Sequence, residues 1–229
     1  MFGFIKYLIE TKYYHNDSTI QRNNDRIKKY TPIHNILVKK YNKYKFKDKK
    51  TIENYIKGGS RKINLQTGKK DNLSIRTRNI ADNIRKLSAA AQRHETPGAM
   101  IVHHGVKHHH LNFFNDIIKN KKEVTLQPTG FTSTSIDPQL AHTFKSMNKI
   151  GKDTHYTSHI LHIHIPKGSA GSYVGHLSDL SYEKEFIINK RAKMMINPKP
   201  ISIERNPDKR EGYTYHWRAH LIHDGTKDV

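Results

Sequence analysis

The chain has 229 residues, enough for one sizeable domain, and only 34% of them are hydrophobic, so part of the chain is expected outside a core. Lys and Arg number 41 against 20 Asp and Glu, a formal charge of +21 that favours polyanionic partners without bearing on fold. The lack of cysteine excludes disulfides, a thiolate nucleophile and sulfur-ligated zinc, and no apolar run reaches membrane-spanning length.

Met1 to Glu10 reads as a short amphipathic helix, too short for a secretory signal and without a small-residue cleavage site. Residues 11–50 read as an exposed basic arm rich in Asn, Lys and Tyr, with one helix over Ile33–Tyr41. Residues 1–90 hold 22 basic and 7 acidic residues, so most of the charge excess sits here, suited to non-specific nucleic-acid contact. A solvated lysine-rich surface gives the same composition.

From Thr51 the pattern tightens, and a domain is expected over 51–229. Ile52, Tyr55 and Ile56 share one helical face before Gly58-Gly59 ends it. Ile80, Ile84, Leu87 and Ala91 mark a second helix, closed by Pro97-Gly98. Strands then follow at Ala99–His104, Gly130–Ser135, His159–Ile165, Glu185–Ile188, Met194–Ile196 and Tyr213–Leu221, with a turn over Pro166–Gly171. Within the third, Ile160, Ile163 and Ile165 are the expected core positions, and Leu161 breaks the alternation. Strands gathered after helices predict an α+β fold.

Two stretches carry the chemistry. In Gly130-Phe131-Thr132-Ser133-Thr134-Ser135, hydroxyls alternate along a short strand. Asp137 and Pro138 follow as N-cap and first-turn proline of a helix whose apolar stripe is Leu140, Ala141 and Phe144. In Tyr182-Glu183-Lys184-Glu185-Phe186-Ile187-Ile188, two carboxylates stand two apart. On a strand that spacing puts Glu183 and Glu185 on one side and turns Phe186 and Ile188 to the core. Paired carboxylates beside a core serve a cation or a reaction.

The runs "GFTSTSIDPQLAHTF", "HILHIHIPKGSAG" and "YEKEFIINKRAKMMI" together resemble the ADP-ribosyltransferases of the Arg-Ser-Glu class, which include clostridial binary toxins, arginine-specific ectoenzymes and enzymes of tailed-phage heads. The resemblance runs from about Thr51 to Ile196. It implies a split mixed β-sandwich behind an N-terminal helical cap, with NAD held in the cleft between its halves. It also implies mono-ADP-ribosyl transfer to an arginine of a protein acceptor. Glu185 is then the carboxylate that stabilises positive charge on the nicotinamide ribose, Ser133 holds Glu185, and Glu183 orients the acceptor arginine. Ser135 and Phe131 flank the nicotinamide, and Thr134 points away.

The class carries an arginine at the end of its first strand to grip the NAD diphosphate, but this chain has His104 there, followed by Gly105. Imidazole lacks the permanent charge and the bidentate fork of guanidinium, though it can still bond ribose or phosphate. The class presents an aromatic to its protein target from the loop before the Glu pair, which the resemblance implies for Tyr173 or Tyr182; a plain surface tyrosine reads equally well there. His103, His104, His108, His109 and His110 cluster, and His162 and His164 share a strand face. No carboxylate stands at ligand spacing to them, so no metal site is expected.

Leu8-Ile9-Glu10 resembles the sites that phage prohead proteases trim. The implied history is a cleaved leader over residues 1–10, a place in the virion head, and action in the host cytoplasm on transcription or translation proteins. Two other readings use the same residues: an inactive transferase fold kept as a basic DNA-associated packaged protein, and an NAD glycohydrolase.

Overall fold

The computed structural model describes residues 32–42, 46–56, 85–106, 111–120, 122–145, 148–149, 156–175, 177, 184–205 and 212–224. The leader over 1–10, most of the basic arm, Gly58-Gly59, His108–His110, Tyr182 and Glu183 lie outside them. Helices α1 (32–41), α2 (Phe46–Asn54) and α3 (85–92) precede the sheet. Ile33, Leu37, Tyr41, Ile52, Tyr55 and Leu87 are all buried in one continuous core. Each such side chain adds on the order of 1.5–3 kcal/mol of burial. The division expected between arm and domain at Thr51 therefore falls inside α2, and the described residues of α1 and α2 share the core of the sheet.

The strands are β1 (Met100–Gly105), β2 (Val124–Leu126), β3 (Thr132–Ser135), β4 (Asn148–Lys149), β5 (Tyr156–Ile165), β6 (Gly171–Tyr173), β7 (Glu185–Ile188), β8 (Lys193–Ile196), β9 (Ser202–Arg205) and β10 (Gly212–His223). Helices α4 (Leu111–Asn120) and α5 (Pro138–Phe144) lie between them. The hydrogen-bonded order is β2-β8-β10-β5-β1-β3-β7-β6, with β4 on β5 and β9 on β10. β10 and β5 are parallel and the other pairs antiparallel, so the fold is α+β with a mixed sheet.

The sheet is nearly divided in the middle. β1 and β5 register from Met100↔Ile165 to Gly105↔Ile160, whereas β1 and β3 meet only at His103↔Ser135. That single pair is the hinge line between a β2-β8-β10-β5-β1 half and a β3-β7-β6 half. The cap packs on the smaller half: Tyr55 meets Phe131 edge-on at 5.7 Å, Tyr41 meets Tyr173 at 6.4 Å, and buried Ser88 Oγ donates to Asn189 Oδ1 at 3.0 Å. α4 packs under the larger half, where Phe114 stacks on His159 at 4.8 Å and lies 5.6 Å from Trp217.

β5 explains its own irregular pattern. It lies between β10 and β1, and Ile160, Leu161, His162, Ile163 and Ile165 are all buried. A strand covered on both faces has no polar phase to keep, so Leu161 does not interrupt anything. The expected turn at Pro166–Gly171 leads directly into β6, and Gly171 admits the Phe186 ring, which would stand 2.3 Å from a Cβ there.

Candidate active site

The cleft opens along the hinge line. From the end of β1 come His103, His104 and Gly105, from β3 Ser133, Thr134 and Ser135, and from the first residue of β7 Glu185. α5 closes the side with Ala141 and Phe144, and the whole space, open mouth included, measures ≈ 450 Å³.

Strand geometry brings the central pair together. β3 and β7 run antiparallel with Ser135 opposite Glu185 and Ser133 opposite Ile187, so Ser133 lies diagonal to Glu185. Ser133 Oγ donates to Glu185 Oε1 at 2.5 Å, fixing the carboxylate at the cleft wall. Ser133 also offers its carbonyl oxygen to His104 Nδ1 at 2.8 Å. His104 is thereby held as an Nδ1–H donor, leaving Nε2 to accept. Thr134 turns the other way, as expected, and its hydroxyl donates to the Phe186 carbonyl at 2.6 Å.

α5 is set by its N-terminus. Asp137 has extended backbone (φ −103°, ψ 113°) and its side chain accepts from Gln139 N at 3.1 Å, with Pro138 in the first turn. Ser135 Oγ in turn accepts from Asp137 N at 3.0 Å, tying β3 to the cap. Gly105 lets the helix sit against β1, because a Cβ there would lie 2.3 Å from the Ala141 carbonyl oxygen. Its missing side chain is thus required by α5 whatever it does for a ligand. Phe144 is 42% exposed and lines the cleft instead of completing the core stripe.

Three sequence expectations change. Phe131 is buried against Tyr55 in the core and is not among the cleft-lining residues. Tyr173 is fully buried, with its hydroxyl bonded to His34 Nδ1, so it cannot face a target, and burial raises its pKa further above the ordinary phenol value. β7 begins at Glu185, and Lys184 before it has φ +45°. The regular pleat therefore begins at Glu185, strand alternation does not run back through Lys184, and Glu183 lies outside the described residues. Lys184 itself reaches Asp137 Oδ2 at 3.9 Å, and its carbonyl accepts from Ile136 N at 3.2 Å, so the bend before Glu185 is bound to the α5 cap.

A row of imidazoles that sequence spacing does not reveal runs back from the cleft. His103 Nδ1 lies 2.8 Å from His162 Nδ1, and His162 Nε2 lies 2.9 Å from His216 Nδ1. They come from β1, β5 and β10, side by side in the sheet. Burial, with the neighbouring His103 and His216, holds His162 well below the ordinary histidine pKa, so it is neutral. His164, two residues on, stacks on His220 at 5.0 Å instead.

Residues 33–214 match the family model described as ADP-ribosyltransferase exoenzyme, most of the chain. The chain belongs to that family, whose enzymes use NAD as the donor of ADP-ribose. Among solved structures it resembles Plx2a, an ADP-ribosyltransferase toxin from Paenibacillus larvae, at 17% identity and TM-score 0.62, over 85% of this chain and 96% of that one. The enzymatic component C2-I of the C2 toxin of Clostridium botulinum matches at 16% identity and TM-score 0.61, over 81% of this chain and 47% of that one, so this chain spans about half its length. ADP-ribosyltransferase Vis, solved in complex with agmatine, matches at 18% identity and TM-score 0.60, over 94% and 92%. At these identities the likeness speaks for the fold. No curated protein matches the sequence.

Proposed function

We propose that the protein transfers one ADP-ribose from NAD to an arginine side chain of a protein acceptor. The observation that carries this reading is the Ser133–Glu185 hydrogen bond on the wall of the hinge-line cleft. When the bond between nicotinamide and C1′ of its ribose breaks, nicotinamide leaves with the bonding electrons and positive charge grows on the ribose. A carboxylate already held in place stabilises that charge without reorganising. Glu185 takes this part, Ser133 positions it, and an arginine nitrogen that has given up a proton bonds to C1′.

Glu183, standing just before β7, is the residue we assign to orienting the guanidinium and accepting its proton. The agmatine bound to Vis carries a guanidinium group, which supports an acceptor of that chemistry. His104, which lines the cleft near the end of β1 with its Nδ1 engaged by the Ser133 carbonyl, is the residue we assign to contacting the ribose or diphosphate.

Incubation of the protein with labelled NAD and a bacterial lysate, followed by mass spectrometry of the labelled peptides, tests the reading. Label is expected on arginine, and Glu185→Gln is expected to lower the rate on the order of 10²–10³-fold. Label on a different residue type overturns the acceptor assignment. Undiminished label in Glu185→Gln overturns the catalytic one.

A further inference from the structure

We infer that His142, Glu204 and His216 form a site for a divalent transition metal of the zinc class, and that its occupancy sets the direction of the imidazole row leading to the cleft. The three residues come from α5, β9 and β10, and one ligand atom from each lies within 4.8 Å of the others. Tetrahedral zinc at its usual bond lengths places ligand atoms about 3.4 Å apart. His216 Nε2 and Glu204 Oε2 already stand 3.3 Å apart, and the His142 and His216 rings are 5.4 Å apart between centroids. A small rotation of the half-exposed His142 completes the set.

The chemistry of the donors selects the ion. Two imidazoles and one carboxylate suit zinc and its neighbours, whereas calcium and magnesium take oxygen ligands. His216 is fully buried while Glu204 and His142 are half-buried, and three protein donors leave a fourth tetrahedral position for water. An imidazole ligand needs its second nitrogen held, and His216 Nδ1 is held by His162 Nε2 at 2.9 Å. This pairing lies outside the cleft, so the site does not depend on the identity of the acceptor.

The coupling follows from counting protons on nitrogens. With no ion, His216 keeps its proton on Nε2, facing Glu204. Its Nδ1 then accepts from His162 Nε2–H, and His162 Nδ1 accepts from His103 Nδ1–H, which leaves His103 Nε2 an acceptor. With an ion on His216 Nε2 the proton moves to Nδ1 and each bond reverses. His162 becomes the Nδ1–H tautomer and His103 the Nε2–H one, changing a cleft-lining ring from acceptor to donor.

Calorimetric titration of untagged full-length protein with zinc chloride, joined to nitrogen-15 correlation spectra of the histidines, tests both parts. One equivalent is expected to bind. Glu204→Gln and His142→Gln should each weaken binding at least tenfold with the metal-free melting temperature unchanged, while His164→Gln, at the separate His164–His220 stack, should have no effect. Absence of zinc binding, or wild-type affinity in both site variants, overturns the site. Zinc binding that leaves His162 as the Nε2–H tautomer overturns the coupling.

Discussion

Glu185 is the first residue of β7, its carboxylate meets a hydroxyl on the diagonal of the neighbouring strand, and its two companions, Glu183 and His104, invite separate tests. Glu183→Gln should lower arginine labelling while release of nicotinamide to water continues, since its assigned part concerns the acceptor alone. An equal fall in both would remove it from that role. His104→Arg should retain or tighten NAD binding, because guanidinium adds charge and a second donor at the same place, whereas His104→Ala should weaken it. An unchanged NAD affinity in His104→Ala, read by calorimetry, would move the grip elsewhere. The family resemblance made Ser133 and Glu185 legible as a pair, and the turn of Thr134 away from the Ser133 side followed from the period of two along a strand. It misled at Phe131 and Tyr173, where an aromatic next to a polar run is apolar bulk for the cap, and at Lys184, whose φ of +45° nothing in the residue type announces.

The helix α5 joins the site to the sheet, and it is held by one cap and one missing side chain. Asp137→Ala removes the acceptor for Gln139 N, and a loss of about 1 kcal/mol is expected in urea unfolding. Gly105→Ala should cost more, since the obstructing atoms are backbone: the Ala141 oxygen at 2.3 Å and the Lys145 nitrogen at 2.5 Å from the new Cβ. Displacement of α5 would also move Phe144 and Ala141 on the cleft wall, so NAD affinity should fall with stability. A Gly105→Ala protein with wild-type stability and affinity would show that α5 yields without consequence. The cap signal Asp137-Pro138 was plain in the sequence, being local chemistry. The short strands β2, β4 and β9 and the helix α4 were not, because two to four residues carry too little pattern and α4 has its partners, His159 and Trp217, far along the chain.

At the scale of the molecule, the buried histidines tie stability to pH. His159 is fully buried, stacked between Phe114 and Tyr215 at 4.8 and 5.4 Å, and its Nδ1 accepts from Trp217 Nε1 at 3.1 Å. Burial lowers its pKa from 6.5 to about 4. In the unfolded chain the ring takes up a proton as the pH falls through 6.5, while the folded protein resists until about 4, so the unfolded state binds more protons across that window. The contribution is therefore fully present above pH 6.5 and is lost as the pH falls towards 4, about 3 kcal/mol for this residue. His164 follows the same direction, lowered to about 4 by burial first and then by His220 and Arg218. Urea midpoints measured from pH 7.5 down to 4.5 should fall steadily below 6.5. His159→Gln keeps an acceptor for Trp217 and does not titrate, so its midpoint should fall less steeply over the same range. Parallel slopes for the two proteins would show that His159 does not set the acid limit.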